Sequence, residues 1–282
     1  MEEKSVEQLV EEARRGDSDA LEKIVLGIKD RIYGLAVRML FLPSDAEDAT
    51  QEILIKVITR LDRFRGESSF NTWVYRIASN YLLTTRKSRA ERWSLTFEKY
   101  GDLIDEGISD PEYGTCSGPE KKILVEEGKI ACLQGMLICM NREIRLAFIL
   151  GEIFEVTGTE GARILDITPE AFRQRLSRGR RELKEFMEEK CSLVNPDNEC
   201  HCEKQIPCDI KRGFIDPKNL LFAQHPCRAK QSEEVMNNLQ ELHELGRAAF
   251  HFRSLPEFAA PESFVDIVRE LMDSDRFQIL RA

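Results

Sequence analysis

The fold is decided by residues 64–80, FRGESSFNTWVYRIASN, a short polar loop that runs into an amphipathic helix. Apolar residues recur in the helix at intervals of three and four, which is the spacing of one buried helix face. These residues are Phe70, Val74, Ile77 and Tyr81. A serine-containing loop before an asparagine-bearing helix is able to hold a base flipped out of a duplex, against aromatic side chains. For Trp73 and Tyr75, ordinary core packing is the alternative role.

Upstream of this stretch, the periodicity predicts three further helices near 5–15, 18–41 and 45–63, with the fourth over 69–89. Two pairs match the capping-box pattern that opens a helix: Ser5 with Gln8, and Ser44 with Glu47. The first ninety residues therefore read as one four-helix module.

The third predicted helix begins with DAEDATQE, residues 45–52, and carries a stripe of carboxylates. Asp45, Asp48 and Glu52 lie three or four residues apart, so they share one face, with Gln51 beside them. Such a stripe suits docking on a basic helical surface. The alternative is the preference of helix N-termini for negative charge, which explains Asp45 and Asp48 but not Glu52, which lies beyond the first turn.

A second motif, TGTEGARILDITPEAFRQRLSRGRREL at 157–183, has the pattern of a helix-turn-helix. Thr157 and Thr168 are the predicted N-caps, and Pro169 takes the first helical position, where its missing N–H costs nothing. Three apolar side chains mark the inward face: Phe172, Leu176 and Leu183. Five polar ones are expected to face phosphates and guanine edges: Arg173, Gln174, Ser177, Arg180 and Arg181.

Positive charge is concentrated in this second helix. From Ala171 to Lys184, six basic residues stand against one acidic residue, a local charge of +5 in a chain of formal net charge −9. A solvated charged helix is the alternative to DNA binding, but the cap, the turn and the preceding helix all favour DNA. Confining the basic surface to one helix allows an acidic protein to bind DNA.

Composition indicates a helix-rich cytoplasmic protein, with 32% charged and 8% aromatic residues among 282. No apolar run approaches the roughly 18–20 residues that span a bilayer. The N-terminus, MEEKSVEQLVEEARRGD, is acidic, unlike a signal or transit peptide. Cytoplasmic thiols are normally reduced, so the eight cysteines are expected to be free thiols or metal ligands.

Changes in pattern divide the chain into five parts. Residues 1–92 form the four-helix module and 120–190 the helix-turn-helix module. Residues 93–119 lose periodicity and collect Gly, Asp, Ser and Pro, which predicts a flexible linker. Residues 191–228 are rich in Cys and His, and 229–282 are expected to add two or three C-terminal helices.

The fourth part, residues 191–228, concentrates potential metal ligands. It holds five cysteines and two histidines: Cys191, Cys200, Cys202, Cys208, Cys227, His201 and His225. Thiolates and imidazoles are the ligands of tetrahedral zinc. The predicted zinc ligands are Cys191, Cys200, Cys202 and His225, with Cys208 and Cys227 as further candidates. Several unrelated buried thiols, or a redox switch, are the alternatives.

The two N-terminal motifs and the helix-turn-helix together resemble the second and fourth conserved regions of extracytoplasmic-function (ECF) sigma factors. Such a factor is a dissociable promoter-specificity subunit of bacterial RNA polymerase. The resemblance covers residues 5–90 and 120–187. It implies an all-α fold of two helical modules without enzymatic activity, with core RNA polymerase and promoter DNA as partners and an anti-sigma protein as a further candidate. Residues 191–282 lie outside the family pattern, and we expect them to regulate the sigma modules in cis, in response to metal or oxidant.

The resemblance also implies a role for individual residues. Core polymerase would dock on Asp45, Asp48, Gln51 and Glu52. The −10 strand of the promoter would contact Lys56, Phe64, Ser68, Ser69, Asn71, Tyr75, Arg76 and Asn80. The −35 element would contact Thr168, Glu170, Arg173, Gln174, Ser177, Arg178 and Arg181. One departure is Asp166, which stands where the family usually has glycine in the turn; aspartate adopts the left-handed conformation at some cost.

Two other function classes compete with this interpretation. A helix-turn-helix regulator that acts without polymerase would explain the arginine helix but not the motifs between 45 and 80. A thiol-dependent enzyme could use Cys200 or Cys202 with His201 or His225. Yet the sequence has no glycine-rich phosphate loop and no strand–motif–helix context, which disfavours an enzyme.

Overall fold

The computed structural model describes residues 4–114, 118, 120–223, 227–228, 244–266 and 269. Helices dominate, which confirms the predicted all-α fold. In chain order they are α1 (Val6–Arg14), α2 (Ser18–Leu40), α3 (Pro43–Ile58), α4 (Phe70–Thr84), α5 (Phe97–Ile108), α6 (Lys121–Cys139), α7 (Arg142–Phe148), α8 (Gly158–Leu165), α9 (Pro169–Lys190), α10 (Cys202–Lys211) and α11 (Glu244–Arg253). A π-helical turn, Ile149–Ile153, continues α7. Two-residue strands β1 (Cys227–Arg228) and β2 (Glu257–Phe258) pair antiparallel.

Helix α2 is the centre of the N-terminal module and contacts α1, α3 and α4. Every residue from 32 to 40 is buried, as expected for a helix with neighbours on all sides. No helix within the described ranges is long and apolar enough to cross a membrane.

The two predicted capping boxes have different outcomes. Ser5 forms the reciprocal box with Gln8 at the start of α1, as predicted. The box at Ser44 is wrong, because α3 begins one residue earlier, at Pro43, and has no side-chain cap. Proline fits the first helical position, so the helix starts before Ser44 is able to cap it.

The prediction of a flexible linker at 93–119 is wrong at Phe97–Ile108, where the chain forms α5. The rings of Phe97 and Tyr100 pack on Phe186 of α9, with centroids 5.1 and 5.9 Å away. The segment contains two helical glycines, which disfavour a helix on their own. Tertiary packing therefore stabilises a helix that local sequence does not predict.

Helices α8 and α9 form the predicted helix-turn-helix. Thr157 and Thr168 each accept a hydrogen bond from a backbone amide and cap the two helices. Asp166, in the turn, has the left-handed conformation, with φ 56° and ψ 46°. Gly161 is required by the close approach of the helices, since a Cβ there would lie 2.3 Å from the ring of Phe172.

The chain beyond α9 packs back across both modules. Glu127 of α6 accepts hydrogen bonds from the three backbone amides of 221–223, at 2.7 to 2.9 Å. These bonds position Phe222, whose ring centroid lies 5.6 Å from Phe41 of the N-terminal module and 6.1 Å from Phe258 of β2. The ring of Phe222 thus contacts both the N-terminal module and the C-terminal strand of the extension.

Candidate nucleic-acid interface

Helix α9 presents one exposed basic face, where the sequence predicts contacts to the −35 element. Its exposed members are Arg173, Gln174, Ser177, Arg178 and Arg181, with Thr168 and Glu170 exposed at its start. Glu170 pairs with Arg173 at 2.6 Å, and Glu182 pairs with Arg178 at 2.8 Å. Exposed ion pairs contribute little to stability, so both arginines are able to exchange a carboxylate for a phosphate.

Arg180 does not belong to this exposed face, contrary to the sequence prediction. Its Nε lies 2.7 Å from Oε1 of Glu152, a carboxylate that is 3% exposed. Arg253 of α11 donates to the other carboxylate oxygen at 3.1 Å. A buried carboxylate is stable only when cations pair with it, so Arg180 turns toward Glu152 instead of toward solvent. The sequence signal for this pairing is the lone charge of Glu152 in the apolar run AFILGEIF at 147–154.

The residues predicted to bind the −10 strand have different environments. Ser69, Asn71, Arg76 and Asn80 are exposed, whereas Lys56, Ser68 and Tyr75 are half-buried. Phe64 is buried, and its ring packs on Phe70 and Trp73 at 5.3 and 5.6 Å. Phe64 is therefore a core residue rather than an open aromatic wall, and Trp73 packs beside it. Ser69 caps α4 by accepting a hydrogen bond from the amide of Thr72.

The middle of α4 is covered by the helix-turn-helix module. Three contacts join the two: Thr72 Oγ1 donates to Glu160 Oε1 at 2.6 Å, Arg76 pairs with Asp166 at 3.1 Å, and the ring of Tyr75 lies 5.7 Å from that of Phe154. Burial raises the pKa of Tyr75. The predicted −10 surface at Tyr75 and Arg76 is thus in contact with the predicted −35 module.

On the acidic face of α3, one carboxylate pairs within the protein and two are exposed to solvent. Asp45 accepts two hydrogen bonds from Arg89, one from the backbone amide and one from Nε, both at 3.0 Å. Asp48 and Glu52 are exposed, and Gln51 is half-buried. The surface that remains for a basic partner therefore centres on Asp48 and Glu52.

The cysteine-rich segment brings two predicted metal ligands side by side. Cys191 and Cys200 form an isolated parallel β-bridge, and Cys202 begins α10. Burial raises the pKa of all three thiols, to about 12 for Cys200 and about 11 for Cys202. In the part of the chain that the structure describes, no group of three His, Cys, Asp or Glu side chains is arranged to hold a metal ion.

The other proposed ligands do not complete the site. His225 lies outside the described residues, and so does the side chain of Cys227. Cys208 is buried, and its Sγ lies 3.4 Å from the carbonyl oxygen of Gly107. The zinc site remains a prediction.

A buried ionic cluster that the sequence did not predict joins the two modules. The carboxylate of Glu91, 8% exposed, pairs with Arg142 at 2.6 Å and with Arg145 at 3.1 Å. Arg145 also donates to the carbonyl of Met39 in α2. Burial raises the pKa of Glu91, but hydrogen bonds from Arg142 and the Ser88 amide, with the charges of both arginines, lower it to about 2. The sequence signal that could have indicated it is Arg145, a charged residue between Ile144 and the apolar run LAFIL at 146–150.

Comparison with known proteins identifies the family of the chain. Residues 25–92 match the family Sigma-70 region 2. The ECF RNA polymerase sigma factor SigW of Bacillus subtilis (strain 168) is 29% identical over 181 residues, which cover 64% of this chain and 95% of SigW. The RNA polymerase sigma-H factor of Pseudomonas aeruginosa is 30% identical over 64% of this chain and 93% of its own length. The ECF RNA polymerase sigma-E factor of Escherichia coli (strain K12) is 30% identical over 61% of this chain and 88% of its own. The chain belongs to the ECF family of RNA polymerase sigma factors, and it is a transcription initiation factor rather than an enzyme.

Proposed function

We propose that this sigma factor rests in a closed arrangement that must open before it captures promoter DNA. In the open form α3 would dock on core polymerase, α9 would read the −35 element and α4 would hold the −10 strand. The observation that carries the proposal is the contact of α4 with α8 and Phe154, which occupies Tyr75 and Arg76. A closed state reduces the fraction of competent protein, and with it the apparent affinity for DNA.

The C-terminal extension supports the closed arrangement because it binds both modules. On the N-terminal module, Asp30 accepts a hydrogen bond from the amide of Ala260 at 2.9 Å, and Phe264 packs on Tyr33 at 6.5 Å. On the helix-turn-helix side, Arg253 donates to the backbone carbonyl of Glu152 at 2.8 Å. We propose that this extension regulates promoter access in cis.

The module limits 1–92, 120–190, 191–228 and 229–282, with 93–119 as the connection, remain proposals, as do the cytoplasm as location and the assignment of individual site residues. The family resemblance adds an anti-sigma protein as a proposed partner. The closed arrangement would also keep the sigma modules from promoter DNA, without a separate protein.

Reversing charge on α3 should abolish polymerase binding. We expect the double variant Asp48→Arg with Glu52→Arg to lose co-purification with bacterial core RNA polymerase and promoter-directed transcription. The two exposed carboxylates of the wild type would contact a basic surface of the polymerase, and the introduced arginines would be repelled by it. The matched control is Asp102→Arg with Glu106→Arg, which reverses two exposed carboxylates at the same spacing on α5. Equal binding by both double variants would contradict the assignment of α3.

Removing one arginine from the −35 face should relax base preference. A bidentate arginine–guanine contact contributes about 1–3 kcal/mol of discrimination. We therefore expect Arg173→Ala to lose about 5- to 150-fold of preference at one upstream base, measured by selection from randomised duplexes with the holoenzyme. Lys122→Ala, an exposed position on α6, should leave the preference unchanged. A base preference unchanged in Arg173→Ala would argue against this docking of α9.

We propose a zinc site formed by Cys191, Cys200, Cys202 and His225, on the strength of their clustering in the sequence and the Cys191–Cys200 bridge. Elemental analysis of the native protein is expected to find about one zinc per chain, since a structural site takes one ion. The double variant Cys200→Ser with Cys202→Ser should lose it. Cys139→Ser, on α6 outside the segment, is the control. A metal-free native protein would rule the site out.

A further inference from the structure

A cavity of about 680 Å³ lies where three parts of the chain meet. Its walls come from α2 and α4, from residues 153–160 that lead into α8, and from residues 253–259 of the extension. Small-molecule sites in proteins have volumes of about 300–1,000 Å³. The cavity therefore has room for a ligand of mononucleotide size, and it is complete only while the modules are closed.

One wall of the cavity carries a buried cation. Arg38 is 3% exposed and donates to the carbonyls of Gly34 at 2.9 Å and Pro256 at 3.2 Å. Within the described ranges its Nε has no hydrogen-bond partner. Burial lowers the pKa of Arg38 to about 10, so it stays charged at neutral pH. The charge of Glu257 acts on Arg38, but Glu257 is exposed and no ion pair joins the two within the described ranges. An anion in the cavity would therefore give the buried guanidinium a direct partner.

Four acidic side chains also line the cavity, and one of them, Glu257, raises the pKa of Arg38 through its charge. Three of them already have partners: Asp30 with Lys29 at 2.7 Å, Glu160 with Thr72 at 2.6 Å, and Glu155 with Arg253 at 3.9 Å. The fourth, Glu257, is exposed, as is Arg31, a further cation of the lining.

Aromatic rings complete the site. The guanidinium of Arg38 lies 5.7 Å from the ring centroid of Phe154 and 4.8 Å from that of Phe258, and Tyr75 packs on Phe154. We propose that the cavity binds an organic anion with a flat ring, its acidic group against Arg38 and its ring against Tyr75 and Phe154. This inference rests on the proposed function in one respect, namely that the closed arrangement prevents the capture of promoter DNA. A ligand present at a hundredfold excess over its Kd would shift the equilibrium toward closure by about a hundredfold.

Calorimetric titration of the full chain tests the proposal with two anions and their neutral analogues. AMP and salicylate represent phosphate and carboxylate, and adenosine and salicylamide are the matched neutral rings. We expect at least one anion to bind saturably, at least tenfold more tightly than its analogue and than inorganic phosphate.

A variant that fills the cavity keeps the test independent of Arg38, whose removal could unfold the protein. A Cβ on Gly27, which lines the cavity on α2, meets nothing within 4 Å, and glycine is a poor helix former. Gly27→Phe should therefore fold and lose binding, whereas Lys23→Phe, one turn earlier, should bind normally. Failure of both anions to bind, equal binding of the neutral analogues, or unchanged binding by Gly27→Phe would each overturn the proposal. Ligand binding is measured without polymerase or DNA. A failure to bind would therefore overturn the ligand proposal without contradicting the proposed function, which is tested by polymerase binding and transcription.

Discussion

Glu91→Gln is expected to destabilise the protein by about 3–5 kcal/mol, because it removes one partner of a buried ionic cluster. The substitution keeps the size of the side chain but leaves Arg142 and Arg145 without their carboxylate, and the side chain of Arg145 is 3% exposed. The measurement is the midpoint of urea unfolding at neutral pH. Since Arg145 also holds the carbonyl of Met39, the variant should loosen the contact between the modules as well.

Asp45→Asn is the control for this prediction. It breaks the pair with Arg89, whose side chain is 56% exposed, so the expected change is within about 1 kcal/mol. An equal loss of unfolding free energy in both variants would show that the buried cluster stabilises the protein no more than an exposed ion pair does.

The pKa of Glu91 gives the same cluster a pH signature. Its folded-state pKa is lowered from the ordinary 4.5 to about 2, so it stabilises the fold above pH 4.5. That contribution is lost as the pH falls from 4.5 through 2. Wild type should therefore lose more stability than Glu91→Gln over this interval, and parallel curves for the two proteins would contradict the assignment.

Local patterns predicted the parts of the fold that local forces determine. The apolar spacing around 64–80 gave the buried face of α4, and Thr168 with Pro169 gave the start of α9, because caps and helix faces depend on residues a few positions apart. The left-handed turn at Asp166 could be placed for the same reason.

Contacts between distant parts of the chain could not be predicted in this way. Helix α5 forms because aromatic rings from α5 and α9 meet, although their sequence separation hides the pairing. Arg180 was expected on the DNA face, since nothing local shows that Glu152 is buried beneath it. The cover over Tyr75 likewise depends on how the two modules pack, which periodicity does not encode.

Phe222→Ala should open the closed arrangement. Truncating a buried phenylalanine costs about 3–5 kcal/mol, and here the lost contacts include those with Phe41 and Phe258. Glu127 still accepts the backbone amides of 221–223, so the segment keeps its anchor on α6 while its contact with the N-terminal module weakens. If that loss falls on the docking of the extension, even 3 kcal/mol corresponds to about a hundredfold shift toward the open form.

The result expected from this shift is at least tenfold tighter binding to the duplex selected with the wild-type holoenzyme, together with faster hydrogen exchange in residues 244–258. Phe214→Ala is the matched control, since that ring lies in the same segment and is 56% exposed. It should change neither property. Faster exchange with unchanged DNA affinity would separate the two effects: the extension would then be a structural support, and the covered surface at Tyr75 would not limit promoter capture.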